Sequence, residues 1–138
     1  MNLFVDTSVW SQALRRDETG GETGGVPSVR RLRDALDGGE GVFTTGLVLQ
    51  ELLQGFRGPT ARDAIVDRFA SLPLLIADRT DHVAAAESRN VCRRSGVQVG
   101  TIDVLLAQLC VRHDLVMLST DGDFTLMAPH VGLTIWQP

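Results

Sequence analysis

The sequence predicts an α/β fold, a three-layer sandwich with a central, mainly parallel sheet of four to five strands flanked by helices. Two observations carry this expectation. Short apolar stretches alternate with longer ones in which apolar residues recur at helical spacing, mostly in the order strand, helix, helix. The strand-like stretches are also continuously apolar rather than alternating, as in a sheet covered on both faces.

Residues 2–5 (NLFV) read as a buried strand that ends in Asp6-Thr7-Ser8. A helix follows from Thr7 to Arg16, with Val9, Trp10, Ala13 and Leu14 facing inward. DETGGETGG, residues 17–25, has four glycines and no large apolar side chain, and reads as a flexible loop. Pro27 and Ser28 open a second helix with Val29, Leu32 and Leu36 inward, stopped by Gly38 and Gly39. VFT at 42–44 is a second strand, and Thr45 caps the apolar helix GLVLQELLQGF, which ends at Gly58-Pro59. Residues 60–72 form a helix with Ala64, Ile65, Phe69 and Leu72 in contact, and LPLLIA at 72–77 is a third strand. A long helix runs from about Asp81 to Arg94. After the loop GVQVG, another from Thr101 to His113 turns Ile102, Leu105, Leu106, Leu109 and Cys110 inward. LVMLS at 115–119 is a fourth strand, followed by a short helix near Asp123 to Met127 and a last strand, LTIW.

A length of 138 residues with 43% hydrophobic and 22% charged content suits one compact domain spanning 1–138. No apolar run approaches the length of about 20 residues that spans a bilayer. The start, MNLFVD, shows neither a basic segment nor a cleavage site, so no secretory signal is expected. Cys92 and Cys110 lack CxxC spacing and read as buried free thiols, which points to a reducing cytoplasm, and with no spanning run no membrane association is expected. All 13 basic residues are arginine. The absence of lysine excludes a phosphate-binding P-loop. The net charge of −4 is unfavourable for a nucleic-acid partner, yet a divalent ion bound to the acids would cancel two of those charges.

Four acids fall where a buried sheet edge or helix face is expected: Asp6 in FVDTSVW, Glu51 in VLQELL, Asp103 in GTIDVLLA and Asp121 in LSTDGDF. An ionised carboxylate beside a packed core costs several kcal/mol unless it is paired or bound to a cation. Carboxylate oxygens are the preferred ligands of hard ions such as Mg²⁺ or Mn²⁺. Each acid also has a plainer explanation. Asp6 suits a helix N-cap, Glu51 an exposed helix face beside Gln50 and Gln54, and Asp103 the positive end of a helix. Asp121 and Asp123 flank Gly122 in what reads as a turn. Their joint placement favours one site, since Asp6 and Asp121 both follow strands, at the sheet edge where α/β ligands collect. The three histidines are isolated, and neither Ser8 nor Ser11 has a histidine near it in sequence, so no serine nucleophile is indicated.

Taken in order, FVDTSVW, the mid-chain QEL, TIDVLLA and the S-T-D-G-D-F stretch resemble the PIN-domain family, and over essentially the whole chain. The size resembles the VapC-type toxins of bacterial toxin–antitoxin pairs, with the glycine-rich stretch at 17–25 as a departure. The resemblance implies a ribonuclease dependent on Mg²⁺ or Mn²⁺, inhibited by a small VapB-type antitoxin and commonly homodimeric. It also implies that Asp6, Asp103 and Asp121 bind metal and that Glu51 completes the catalytic quartet. Asp123 and Thr7 would each lie behind those ligands, while Ser119 orients a carboxylate or water. Phosphodiester hydrolysis at carboxylates with no lysine or histidine beside them needs a metal ion to activate water and offset phosphate charge. Arg15 and Arg16, with Arg30, Arg31 and Arg33 beyond the glycine stretch, are candidates to grip RNA phosphates, or simply a solvated face. Two other readings stand beside this one. A haloacid-dehalogenase-type phosphatase also starts from a strand-end Asp, but Ser8 occupies the position of its second Asp and the lysine is missing. A catalytically silent module would bind metal structurally.

Overall fold

The computed structural model describes residues 1–19 and 26–138, leaving aside the side chains of residues 16–19. The chain runs β1 (Leu3–Val5), α1 (Thr7–Thr19), α2 (Pro27–Asp37), β2 (Val42–Thr45), α3 (Gly46–Gly55), α4 (Pro59–Phe69) and β3 (Leu74–Leu75). It continues through α5 (Arg79–Arg94), α6 (Thr101–Arg112), β4 (Val116–Leu118) and α7 (Gly122–Val131). The expected α/β sandwich is present, with seven helices among the described residues flanking a four-stranded sheet.

All pairings in the sheet are parallel, and the strand order is β3-β2-β1-β4. This order fixes where a ligand belongs. From β1 the chain steps outward to β2 and β3, then crosses back to place β4 on the other side of β1. The connections therefore diverge between β1 and β4, and the carboxyl ends of those two strands border an open crevice. Leu3, Phe4 and Val5 are wholly buried and pair with Val116, Met117 and Leu118, which brings Asp6 and Ser119 side by side. Trp10 of α1 packs against Phe69 of α4, with ring centroids 4.9 Å apart.

Several elements differ from the sequence reading. Helix α1 continues to Thr19, so residues 17–19 are helical where a loop was expected, and the rest of that expected loop, residues 20–25, lies outside the described residues. The third strand shrinks to Leu74–Leu75, because Pro73 has no N–H to give; only its carbonyl joins the sheet, accepting Thr44 N at 3.1 Å. As an edge strand it leaves Ile76 80% exposed instead of buried. Ala64 is exposed and Ile102 is 42% exposed, so neither takes the inward place the periodicity suggested. The last strand is reduced to one bridge between Met117 and Ile135, where Met117 bonds Thr134 O and Trp136 N, each at 2.9 Å. Helix α7 runs on through Pro129 and stops at Gly132, whose φ of 73° is the left-handed conformation that ends many helices. Thr45 does cap α3, its hydroxyl accepting Val48 N at 3.2 Å, and Cys92 and Cys110 are buried free thiols.

Candidate metal and catalytic site

At the mouth of the crevice the acids come together from four elements. Asp6 lies between β1 and α1, Glu51 is on α3, Asp103 is in the first turn of α6, and Asp121 caps α7 just beyond β4. Asp103, Asp121 and Asp123 can each offer a carboxylate oxygen within 4.8 Å of the others. Asp121 is held for this by its own loop. Its Oδ1 accepts Asp123 N at 2.9 Å as the N-cap of α7, and its amide donates to Ser119 Oγ at 3.0 Å.

Asp6 stands beside that trio, buried to 7% exposure, and is a hub for the two strand ends. Its Oδ2 accepts Ser8 Oγ at 2.8 Å, Ser119 Oγ at 2.9 Å and, more weakly, Ser8 N at 3.4 Å. A hydroxyl has one proton to donate. Both serine protons therefore go to Asp6, and the 3.4 Å approach of the two hydroxyl oxygens is proximity and not a further bond. Each hydroxyl then accepts an amide, Ser8 Oγ from Thr120 at 3.1 Å and Ser119 Oγ from Asp121 at 3.0 Å. The result is a staple between the ends of β1 and β4. Asp6 also begins α1, its carbonyl accepting Val9 N and Trp10 N, so the capping role and the place in the acidic group coexist.

Glu51 is exposed and receives Thr7 Oγ1 at 3.1 Å, which draws α3 toward the start of α1. Ser119, which the resemblance places beside a carboxylate or a water, donates its hydroxyl to Asp6. Asp123, expected behind the ligands, shares the 4.8 Å grouping with Asp103 and Asp121, whereas Asp6 is not part of it. Ser8 was missed as a site residue. Its signal in the sequence is the Asp-Thr-Ser step at a strand end, where a hydroxyl two residues on can bond back to the aspartate.

The electrostatics single out Asp103. Burial is the largest influence, followed by the negative charges of Asp6, Asp121, Glu51 and Asp123, and together they push its carboxyl up to about 6. Among the described residues no ion pair reaches any of these five acids. Oxygen-only donors, crowded together and, among the described residues, without a cationic partner in an ion pair, fit a hard divalent ion.

The candidate arginines divide. Arg15 lies over the Phe56 ring at 5.0 Å, while the side chain of Arg16 lies outside the described part. Arg31 is engaged elsewhere, in a two-pronged pair with Glu40 at 2.6 and 2.8 Å.

Comparison with known proteins agrees with this geometry. The PIN domain family model matches residues 3–128. The VapC ribonuclease Mb1587 of Mycobacterium bovis and ribonuclease VapC11 of Mycobacterium tuberculosis are each 27% identical over 128 residues, covering 91% of either chain. Among solved structures, VapBC2 from Rickettsia felis bound to a promoter DNA fragment is similar with a TM-score of 0.75 at 17% identity, covering 99% of this chain and 98% of that one. FitAcB from Neisseria gonorrhoeae is similar at 0.71 and 17% identity, with 99% and 97% covered. The parallel sheet, the acids gathered at its β1–β4 crevice and the family match across nearly the whole chain lead to one assignment: the chain belongs to the PIN-domain family.

Proposed function

We propose that the chain is a VapC-type toxin, one PIN domain over 1–138 that hydrolyses RNA phosphodiester bonds with Mg²⁺ or Mn²⁺. The observation that carries this reading is the convergence of Asp103, Asp121 and Asp123 within 4.8 Å, with Asp103 pushed up to about 6 and, among the described residues, no ion pair to the group. The ribonuclease names of the mycobacterial relatives support the reaction class.

Asp103, Asp121 and Asp123 would hold the ion, with Asp6 at its flank and Glu51 facing the same space. A bound divalent ion supplies Lewis-acid charge for phosphate oxygens and lowers the pKa of a coordinated water. The protein's own contribution is placement. Ser8 and Ser119 hold the Asp6 carboxylate in place by donating both their hydroxyl hydrogen bonds to it, Thr7 steadies Glu51, and Asp121 is locked as an N-cap. Held in this way, the acids have little reorganisation left to undergo when charge develops on the phosphate.

A VapB-type antitoxin is the proposed partner, since similar solved structures are VapBC complexes, and a homodimer is the proposed assembly. Val83, Ile102, Val111 and Leu126 are exposed apolar residues that such contacts would cover. No helix among the described residues is long and apolar enough to cross a membrane, and the cytoplasm is the proposed location.

Purified protein incubated with total cellular RNA should produce discrete fragments with Mg²⁺ or Mn²⁺ and none with EDTA. Fragments that persist in EDTA, or that an Asp121→Asn protein produces equally well, would remove the assignment.

A further inference from the structure

Beside the acids lies a second feature, of opposite sign. A cleft of about 390 Å³ is lined by Arg89 and Arg93 of α5 and by Val97, Gln98, Val99 and Gly100 of the segment leading into α6. Gly100 connects the two features. It lines the cleft, and a Cβ at that position would stand only 3.7 Å from Asp103 Oδ2. A ligand lying in the cleft is thus separated from the acids by little more than one glycine.

The two arginines differ from those engaged within the fold. Arg31, Arg62 and Arg112 each take a carboxylate partner. Among the described residues, Arg89 and Arg93 take part in no ion pair. Arg89 donates Nε to the Val99 carbonyl at 2.9 Å, which fixes the plane of its guanidinium against the cleft wall. Arg93 is steadied by Asn90 Oδ1 at 2.5 Å. Basic residues favour the last turn of a helix, which accounts for Arg93 but not for Arg89, one turn earlier.

We propose that this cleft is a phosphate subsite for the RNA strand, in which Arg89 and Arg93 hold a backbone phosphate beside the one presented to the acids. The inference rests on the ribonuclease reading and deepens it. A polyanion approaching five clustered carboxylates is repelled, and two guanidinia held close by offset that repulsion where the strand must lie. Planar guanidinium groups contact phosphate oxygens in pairs and need no base sequence, so the subsite would contribute affinity and register, not base choice.

The test is fluorescence anisotropy of a labelled, mixed-sequence single-stranded RNA, with Ca²⁺ in place of Mg²⁺ to slow hydrolysis, across a range of NaCl concentrations. Relative to wild type, the double variant Arg89→Gln/Arg93→Gln should bind at least about tenfold more weakly. Its plot of log Kd against log salt should flatten by about 1.4, at about 0.7 per lost single-strand phosphate contact. Arg62→Gln, on α4, should match wild type. Should loss of the Arg89–Val99 bond unfold the double variant, Arg93→Gln alone, which gives up only a bond within its own helix, should flatten the slope by about 0.7. A folded variant with wild-type affinity and slope overturns the subsite, while cleavage of total RNA by the wild type leaves the ribonuclease reading intact. Wild-type protein that neither binds nor cleaves RNA overturns both.

Discussion

Replacing Asp103 by Asn is expected to stabilise the metal-free protein at pH 7 while lowering metal-dependent RNA cleavage by at least about a hundredfold. The two effects have one cause. In the fold the Asp103 carboxyl is raised from 3.8 to about 6, by burial first and then by Asp6, Asp121, Glu51 and Asp123. A carboxyl whose pKa is higher folded than unfolded opposes folding once ionised, so stability falls as pH rises from about 4 to about 6, and the full penalty is present at pH 7. One unit corresponds to about 1.4 kcal/mol, and Asp103 is only half-buried, so solvent screening reduces the expected gain in the Asn variant to about 1–2 kcal/mol. Thermal melts in EDTA should show the variant above wild type at neutral pH, with the gap closing as the pH falls through that window. A lower melting temperature at pH 7, or undiminished cleavage, would contradict the assignment of Asp103. Asp6→Ala should go the other way in stability. It removes the acceptor of two serine hydroxyls and a first-turn amide, at a cost of about 1–2 kcal/mol.

Arg112→Ala should be strongly destabilising for a change at a partly exposed residue, costing about 2–3 kcal/mol and lowering Tm by about 10 °C. Asp81 is completely buried near the start of α5. Its carboxylate accepts Asp78 N at 3.0 Å, Gln108 Nε2 at 3.4 Å and Arg112 Nη2 at 2.8 Å. Burial pushes this carboxyl up, but those donors and the Arg112 charge outweigh burial and hold it below its ordinary value. Removing the guanidinium leaves a buried charge short of its counterion. The expected cost is below that of a wholly buried pair because Arg112 itself is 38% exposed. The folded carboxyl is depressed, so Asp81 contributes stability that is present above the ordinary carboxylate range and is lost as pH falls through its folded value. A loss below about 0.5 kcal/mol at pH 7, the range of an ordinary surface change, would show that the cluster does not clamp α5 to α6. Arg112 lies at the opposite end of α6 from Asp103, so surviving folded protein should still cleave RNA.

The contrast between these two carboxylates shows what can be read from the sequence. Asp6, Glu51, Asp103 and Asp121 are legible because each follows an apolar strand or interrupts an apolar helix, and the parallel topology carries those positions to one edge. Asp81 is not legible. In sequence it is an acid near a helix start, and its burial depends on Gln108 and Arg112 on α6, which no local pattern predicts. The grouping of Asp123 with Asp103 and Asp121 was hidden for a related reason, since the cap made by Asp121 sets the direction of the first turn of α7. Strand content was overestimated where tertiary context prevailed. Pro73 withholds a donor at the sheet edge, and the stretch 133–136 meets β4 at a single bridge. Arg89 and Arg93 drew no notice because on α5 they read as ordinary exposed charge. Only the fold sets them beside Gly100 and, through it, Asp103.

The central claim, that the clustered carboxylates exist to hold a divalent cation, is tested most directly by titrating the metal-free protein with Mn²⁺ and following free ion by electron paramagnetic resonance. Wild-type protein should take up Mn²⁺ stoichiometrically, with Mg²⁺ competing, and Asp103→Asn should lose that uptake while remaining folded. Uptake by the variant equal to wild type, or none by either protein, would contradict the claim.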